Sequence, residues 1–261
     1  ATTRALVPPD LQARAEVVMK ERAVIAGLPV LRAVYRAVDS SCRVDLAAED
    51  GQRVEKGDVV ATIHGPAAAL LTGERVALNF LQRLSGTATM TAAFVREVRG
   101  TNAIVVDTRK TTPGLRVLEK YAVRVGGGQN HRHNLADGVL VKDNHLAALA
   151  LRGLGIADAV RMARAAAPHT LKVEVEVETL DQVRQAIAAG TDILLLDNMP
   201  PAMLAEAVHV VSGRAVTEAS GGVRLETVRA VAESGVDLIS VGALTHSAPS
   251  IDISLDFRLA V

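Results

Sequence analysis

The chain has 261 residues, of which 49% are hydrophobic and 22% are charged, and its formal net charge is zero. This composition excludes a disordered chain, and the balanced charge excludes a global field that would attract nucleic acid or a membrane surface. Aromatic residues make up only 2% and tryptophan is absent, which argues against nucleic-acid binding by base stacking. The one cysteine, Cys42, cannot form an intrachain disulfide, and no signal peptide or membrane-spanning run is recognisable. We therefore expect a cytoplasmic protein.

The first part of the chain predicts a small mixed α/β domain. Strand-like runs at 42–47 and 58–64 are separated by glycine-containing turns, a pattern typical of a compact β-sandwich or barrel. An apolar stripe predicts a long helix over roughly 67–99. The tail 251–259 alternates apolar and polar residues, which predicts a strand that returns to this first domain.

From residue 100 onward, short apolar runs alternate with helical segments, which indicates βαβ units and a parallel sheet. The predicted strands are 103–107, 138–142, 172–178, 192–197, 215–219 and 237–241. The predicted helices include 156–167, 179–189, 200–210 and 224–234. Six such units are fewer than the eight of a closed barrel, so we expect an incomplete α/β barrel of six to seven strands. The domain boundaries that we expect are 1–85, joined by the tail 250–261, for the sandwich domain and 86–249 for the barrel.

Polar residues end the predicted strands, where barrel enzymes place their chemistry. They are Asp107, Lys142, Glu176 or Glu178, Asp197, Glu218 and Gly242. In the strand 172–178, alternation puts Glu174, Glu176 and Glu178 on one face, which points inward in a barrel. Glu176 and Asp197 are hard oxygen ligands that could hold Mg²⁺ beside a phosphate. An ion pair with Lys142 or Lys172, or a solvated strand end, is the alternative.

The densest polar stretch runs from Asp107 to His145. Arg109, Lys110, Arg132 and Lys142 flank two strand ends and should converge on the barrel mouth. Because clustered cations are costly to bury without anions, they predict a polyanionic ligand. The spacing of Arg116, Lys120 and Arg124 predicts a solvated helix face, and the glycine run 126–128 favours close approach of a ligand over a simple tight turn.

Two glycine-containing loops follow the last predicted strands and lead into helices. They are Ser220-Gly221-Gly222 and Val241-Gly242-Ala243. Loops at this place are the usual phosphate-binding sites of α/β barrels, so we favour phosphate binding over ordinary strand–helix turns.

The stretch 107–145, DTRKTTPGLRVLEKYAVRVGGGQNHRHNLADGVLVKDNH, closely resembles the signature of the quinolinate phosphoribosyltransferase family. The similarity extends over nearly the whole chain. Further matching segments are TTRALVP at the start, LTGERVALNFLQRLSGTAT at 71–89, VEVEVETL at 173–180, LLLDNM at 194–199, EASGGV at 218–223 and VGALTHS at 241–247.

The resemblance implies a homodimer that converts quinolinate and phosphoribosyl pyrophosphate into nicotinate mononucleotide, pyrophosphate and CO₂ with Mg²⁺. It also implies an N-terminal α/β sandwich and an incomplete barrel. Arg109, His131, Arg132 and Lys142, with the adjacent Thr108, would bind quinolinate, and Arg75 would be contributed across the dimer interface. Lys110 would lie between the two substrates, and Glu176 and Asp197 would hold the ribose hydroxyls and Mg²⁺. The 5′-phosphate would be bound by Ser220, Gly221, Gly222, Val241, Gly242 and Ala243.

Two alternatives stay open at this stage. One is a related enzyme with another substrate, such as a nicotinate phosphoribosyltransferase or a phosphoribosyltransferase-like protein of molybdenum metabolism. The other is a phosphate-ligand binding or scaffold protein without activity. Family members usually carry an N-terminal helix and a Gly-Asp-x-Thr-Thr lead-in, whereas this chain starts at Ala1-Thr2-Thr3, so we expect that an N-terminal segment is missing.

Overall fold

The fold is described from a computed structural model in which residues 2–259 are placed. The chain divides into two compact units. The N-terminal unit comprises Ala1–Ala92, Leu118–Gly127 and Leu244–Val261, and the parallel-sheet unit comprises Ala93–Val117 and Gly128–Ala243.

The helices and strands of the described residues alternate along the chain as follows. They are α1 (Thr2–Leu6), β1 (Gln12–Met19), β2 (Ala23–Val24), α2 (Leu28–Val38), β3 (Arg43–Leu46), β4 (Arg53–Val54), β5 (Val59–Pro66), α3 (Ala67–Glu97), β6 (Ile104–Val106), α4 (Arg116–Val125), β7 (Val139–Val141), α5 (Asp143–Ala150), α6 (Ile156–Ala166), β8 (Val173–Val177), α7 (Leu180–Ala188), β9 (Ile193–Asp197), α8 (Pro201–Val211), β10 (Val216–Ser220), α9 (Val228–Glu233), β11 (Leu238–Ser240), α10 (Ala243–His246) and β12 (Ile253–Leu259).

The N-terminal unit is built on a four-stranded antiparallel sheet in the order β12-β1-β5-β3. The two predicted runs at 42–47 and 58–64 form β3 and β5. The predicted return of the tail is confirmed, because β12 pairs with β1 from Met19↔Ile253 to Ala13↔Leu259. Alternate residues of β1 are buried, as expected for a sheet with one face on the core.

The core of this unit lies between the sheet and helices α2 and α3. Its largest buried side chains include Tyr35, Met19, Leu31, Leu70 and Leu81. These residues recur at helical spacing on α2 and α3 and at alternate positions on β1, so each element buries a single apolar face.

The predicted solvated face of α4 is wrong for two of its three residues. Lys120 is fully buried, as is Glu119, whereas Arg124 is exposed. Glu119 accepts a hydrogen bond from Arg83 of α3 at 3.0 Å, so the buried acid has a charged partner. Arg116 is partly buried and donates to backbone oxygens, as described below. The three residues at this spacing therefore differ in exposure, and the spacing of charges does not define a solvated face of this helix.

At Gly126, the glycine run 126–128 makes room for a neighbouring helix and not for a ligand, so the ligand interpretation is wrong for this residue. A Cβ atom at Gly126 would lie 2.5 Å from the carbonyl oxygen of Ala88 and 2.6 Å from Cβ of Thr91. Both neighbours belong to α3. Gly126 is therefore required because the end of α4 packs directly against the backbone of α3.

The parallel-sheet unit contains six strands in the order β6-β11-β10-β9-β8-β7. All six strand predictions are confirmed, with ends that differ by at most two residues. Of the helices, α9 is shorter than the predicted 224–234.

The parallel sheet does not close into a full barrel. Neighbouring strands pair in parallel from β7 through to β6, but within residues 2–259 β6 and β7 do not pair with each other. An isolated parallel bridge joins Val106 to Gln129, so the loop before β7 continues the sheet for one residue pair. The expected incomplete barrel with a separate N-terminal α/β domain is confirmed.

Between residues 2 and 259, no helix combines the length and the apolar character that crossing a membrane requires.

We predict that Gly126→Ser lowers the free energy of unfolding by about 1–3 kcal/mol, because the added atoms overlap the backbone of α3. The measurement is the shift of the thermal or denaturant midpoint. Gly155→Ser is the matched control, since Gly155 precedes α6 with open space around its Cβ position and serine is a good N-cap. Equal midpoints for the two variants would contradict the packing role of Gly126.

Candidate active site

A cavity of about 530 Å³ opens at the carboxyl edge of the parallel sheet. This volume is within the range of small-molecule sites. Its walls come from the residues that follow β6, β9 and β10, from the loop before β7, and from the last residues of the strands. The lining residues are Thr108, Arg109, Lys110, His131, Arg132, Leu140, Lys142, Glu176, Leu195, Asp197, Asn198, Glu218, Ser220, Gly221, Gly222 and Ser240.

Most of the predicted site residues meet in this cavity. Those that line it are Thr108, Arg109, Lys110, His131, Arg132, Lys142, Glu176, Asp197, Ser220, Gly221 and Gly222. Arg75, Val241, Gly242 and Ala243 are not among the lining residues. Arg75 is exposed on α3 in the N-terminal unit, with its guanidinium 3.7 Å from Glu74, and Val241 is buried with its N–H donating to Val106.

The loop after β6 carries Thr108, Arg109 and Lys110 into the cavity. The Thr108 hydroxyl accepts the N–H of Lys110 at 3.0 Å, which bends the chain directly after the strand. Arg116 donates to the carbonyl oxygen of Arg109 at 3.2 Å and to the Thr111 hydroxyl at 3.1 Å. Arg116 thus fixes the backbone that presents two cations.

Arg132 supplies a cation from the loop before β7. One terminal nitrogen donates to the carbonyl oxygen of Gly138 at 2.9 Å. Its Nε is a buried donor that has no hydrogen-bond partner within the described residues. Burial lowers the pKa of Arg132, as does the charge of Arg109, while Glu174 opposes the shift. A ligand oxygen at this place would satisfy the donor and offset the burial of the charge.

His131, on the same loop, contacts two acidic side chains of the parallel sheet. Its Nε2 lies 3.5 Å from Glu174 and 3.4 Å from Glu218, and both acids are almost fully buried. Burial opposes the charged form of His131, but the bonds to Glu174 and Glu218 outweigh it and raise its pKa to about 9. Nδ1 accepts the N–H of Arg132 at 2.7 Å, which only the neutral ring with hydrogen on Nε2 can do, so this contact opposes the rise in pKa. In either state the Nε2 hydrogen faces the two carboxylates.

Acidic groups occupy the ends of β8 and β9. Glu176 lies 3.6 Å from the Lys142 ammonium and is partly exposed to the cavity. Burial raises the pKa of Glu176, Lys142 opposes the shift, and the charge of Asp197 adds to it. Parallel pairing of Glu176 with Leu195 leaves Asp197 just beyond it on the neighbouring strand. The site therefore offers two carboxylates beside one ammonium group.

The loop after β10 fits closely under the end of β9. Asn198 has a positive φ of 54°, donates its side-chain amide to Asp197 at 2.6 Å, and donates its backbone N–H to Ser220 at 2.9 Å. Gly221 has φ 91°, and a Cβ atom there would overlap the Asn198 side-chain oxygen. Only glycine allows this approach, which leaves the Gly221-Gly222 backbone bare at the cavity wall.

Sequence reasoning gave no site role to several lining residues. These are Leu140, Leu195, Asn198, Glu218 and Ser240. It placed Glu218 at a strand end and Glu174 on the inward face, but it did not pair either with His131. Glu178, predicted on the same face, is exposed. The strand alternation could have found the two acids, but nothing local identifies a histidine more than 40 residues away as their partner.

Comparison with known proteins gives consistent matches over both units. The profile described as the quinolinate phosphoribosyl transferase N-terminal domain matches residues 1–85, and that of the C-terminal domain matches residues 87–256. The chain is 48% identical over 246 residues to a probable nicotinate-nucleotide pyrophosphorylase [carboxylating] of Bacillus subtilis, covering 94% of this chain and 84% of that protein. It is 46% identical over 260 residues to the Mycobacterium leprae nicotinate-nucleotide pyrophosphorylase [carboxylating], covering 98% and 90%.

Solved structures of similar fold belong to proteins with the same kind of name. The crystal structure of NadC from Streptococcus pyogenes superposes with a TM-score of 0.95 at 44% identity, covering 100% of this chain and 91% of that one. The nicotinate-nucleotide pyrophosphorylase of Ehrlichia chaffeensis gives a TM-score of 0.93 at 37% identity, covering 98% and 92%. Together with the cavity geometry, these matches show that the chain belongs to the quinolinate phosphoribosyl transferase family.

Proposed function

We propose that this chain transfers the phosphoribosyl group of phosphoribosyl pyrophosphate to quinolinate and removes CO₂, giving nicotinate mononucleotide and pyrophosphate for de novo NAD biosynthesis. The observation that carries the proposal is the division of one cavity into two chemistries. Cations from the β6 and β7 loops face one part, and carboxylates and a bare glycine backbone at the ends of β8, β9 and β10 form the other. A dianionic ring and a polyphosphorylated sugar need these two environments.

The cationic part suits the dicarboxylate. Arg109 and Arg132 offer planar forks for carboxylate oxygens, and Lys142 adds a point charge. The unpartnered Nε of Arg132 supports this role, because a bound carboxylate would accept from it. Lys110, which is exposed at the end of the same loop as Arg109, would lie between the two substrates.

The acidic part fits Mg²⁺. This ion is commonly held by one or two carboxylates while substrate phosphates and water complete its shell. Glu176 and Asp197 line the cavity on adjacent strands and influence each other electrostatically, so they could hold the ion directly or through water. When bound, Mg²⁺ would neutralise the charge of the departing pyrophosphate.

The chain's own residues would position the two substrates and stabilise the charge that develops during the reaction. As the bond from the ribose C1′ to pyrophosphate breaks, positive charge develops on the sugar, and Glu176 and Asp197 can stabilise it. The quinolinate nitrogen then forms the new bond to C1′. When the adjacent carboxylate leaves as CO₂, its electron pair stays on the ring carbon beside the quaternary nitrogen until a proton is taken up. The cationic loop holds the ring during both steps.

The 5′-phosphate would bind at the loop after β10, where Gly221 and Gly222 line the cavity without side chains that would block close approach. We extend this phosphate site to Val241, Gly242 and Ala243 from the family resemblance. We also propose that the protein is cytoplasmic. The same resemblance supports a homodimer in which Arg75 of one subunit reaches the quinolinate part of its partner's site. The exposure of the Arg75 side chain is compatible with that role.

The decisive experiment incubates the purified protein with phosphoribosyl pyrophosphate, Mg²⁺ and quinolinate labelled in the carboxylate next to nitrogen. We expect labelled CO₂ and nicotinate mononucleotide in equal amounts, and no turnover of nicotinate. Turnover of nicotinate alone would assign the related mono-acid enzyme. Ligand binding without pyrophosphate release would assign a binding protein.

We predict that Glu176→Ala and Asp197→Ala each lower kcat/KM by at least about 100-fold, because each removes a carboxylate from the developing charge and from Mg²⁺. Steady-state kinetics over a Mg²⁺ series measure the effect. Glu178→Ala is the control, since Glu178 is exposed on the same chain segment. Unchanged turnover in either variant removes that residue from the proposed metal and ribose site.

We predict that Arg75→Ala abolishes most quinolinate turnover and that mixing it with a Lys142→Ala variant partly restores activity. A hybrid dimer would carry one site with both mutations and one with neither, so recovery should approach about a quarter of wild-type activity at random pairing of equal amounts, by the symmetry of a two-fold interface. Differently tagged subunits allow hybrids to be isolated. Inactive purified hybrids would rule out the contribution of Arg75 across the interface.

A further inference from the structure

Two buried glutamates, one of which lines the cavity, have no role in the chemistry proposed above. Glu174 of β8 is 3% exposed and Glu218 of β10 is 1% exposed. β8 and β10 are separated by β9, so the two carboxylates approach each other across the interior of the sheet. Carboxylates are rarely buried this deeply unless a partner group pairs with them or donates a hydrogen bond to them.

His131 is the group that lies between them. Its Nε2 is 3.5 Å from one Glu174 oxygen and 3.4 Å from one Glu218 oxygen. The other oxygen of each glutamate is buried and has no hydrogen-bond partner within residues 2–259. Two acids thus converge on a single ring nitrogen and leave two buried acceptors unsatisfied. Unsatisfied acceptors lower the stability of the fold, so stability does not account for this arrangement.

The loop that carries His131 is joined to the β6 segment by backbone and side-chain hydrogen bonds. Gln129 donates its N–H to Val105 at 2.9 Å, and Asp107 donates its N–H to Gln129 at 3.1 Å. Asp107, at the end of β6, accepts the N–H of His131 at 2.9 Å and the side-chain amide of Asn130 at 2.6 Å. In the described part of the chain, no strand fills the gap between β6 and β7 apart from the single bridge at Gln129. Beyond Gln129, the position of the loop at His131 therefore depends on side-chain contacts as well as on this short backbone pairing.

Arg132 depends on the same contacts. Its backbone N–H donates to Nδ1 of His131 at 2.7 Å, so the ring that the glutamates hold in place also fixes the start of the next residue. The carboxylates of Glu174 and Glu218 also attract the Arg132 guanidinium and counteract the effect of its burial on its pKa. The chain of contacts thus runs from two buried acids, through one imidazole, to the arginine that offers an unpartnered donor to the cavity.

We propose that Glu174 and Glu218 are positioning residues for quinolinate, which act through His131 to hold the His131–Arg132 segment in its binding geometry. This inference rests on the proposed function. The segment that it concerns lies on the loop before β7, whereas the residues proposed for the phosphoribosyl group lie at or after the ends of β8, β9 and β10.

The test compares wild type with Glu174→Gln, Glu218→Gln and the double variant, in which the side-chain volumes are preserved and the charges are removed. We expect the double variant to raise KM and Kd for quinolinate about ten- to hundredfold, the range for loss of hydrogen bonds between charged groups. KM for phosphoribosyl pyrophosphate should stay within about twofold, because the residues proposed to bind it, Glu176, Asp197 and the loop after β10, are unchanged in these variants. Calorimetry measures quinolinate binding independently of turnover.

Glu178→Gln is the matched control, since it makes the same chemical change at an exposed position two residues beyond Glu176. It should leave both KM values unchanged. A second control repeats the glutamate substitutions in a His131→Gln background. If the acids act through His131, they should have little further effect there, whereas a general structural role predicts an additive loss.

The outcomes distinguish the two claims. If wild type converts quinolinate and the Gln variants bind it as wild type does, the positioning role is wrong and the proposed function stands. Equal losses for both substrates, or additive losses in the His131→Gln background, would also overturn the positioning role. If wild type neither binds nor converts quinolinate, the proposed function and this inference fail together. Should the double variant not fold, each single variant must show the selective rise in quinolinate KM.

Discussion

The parallel register of β8, β9 and β10 is the constraint on which the site depends. Glu176 pairs with Leu195, and Leu195 pairs with Glu218, so these three residues form one row across the sheet and all line the cavity. Because side chains alternate between faces, a slip of one residue would turn this row toward the helices. Burial of apolar residues at the positions between them fixes the register. Apolar packing therefore determines where the charged groups lie.

Most of the parallel sheet was predictable because its strands are short apolar runs between helical segments. Such runs are specified locally, and their polar last residues indicated where the cavity would open. The edge itself follows from parallel pairing, which brings the carboxyl ends of all strands together. Asp197 at the end of β9 and Ser220 at the end of β10 are register partners, as this reasoning requires.

What sequence reasoning missed depended on contacts between distant segments. Lys120 follows a spacing typical of a solvated helix face, yet it is fully buried, as is its neighbour Glu119, which pairs with Arg83 of α3. The glycine at 126 was interpreted as a ligand contact, but it accommodates the backbone of α3. In both cases the local sequence pattern was present, but the prediction made from it was wrong. The outcome depended on which distant segment packs against the residue, and tertiary packing overrides local preferences.

The two parts of the cavity differ in how the fold supports them. The acids and the glycine backbone lie on β8, β9 and β10, whose backbones are fixed by continuous pairing on both sides. The cations lie on loops beside the gap between β6 and β7, where pairing among residues 2–259 is reduced to one bridge. An open barrel lacks, at this gap, the ladder of hydrogen bonds that would otherwise position the segment. Buried charge positions it instead, since Asp107 holds the backbone of His131 while Glu174 and Glu218 hold its ring. This gives a reason for buried acids in a site proposed to bind anions. They hold the cationic loop in place where strand pairing is reduced to one bridge.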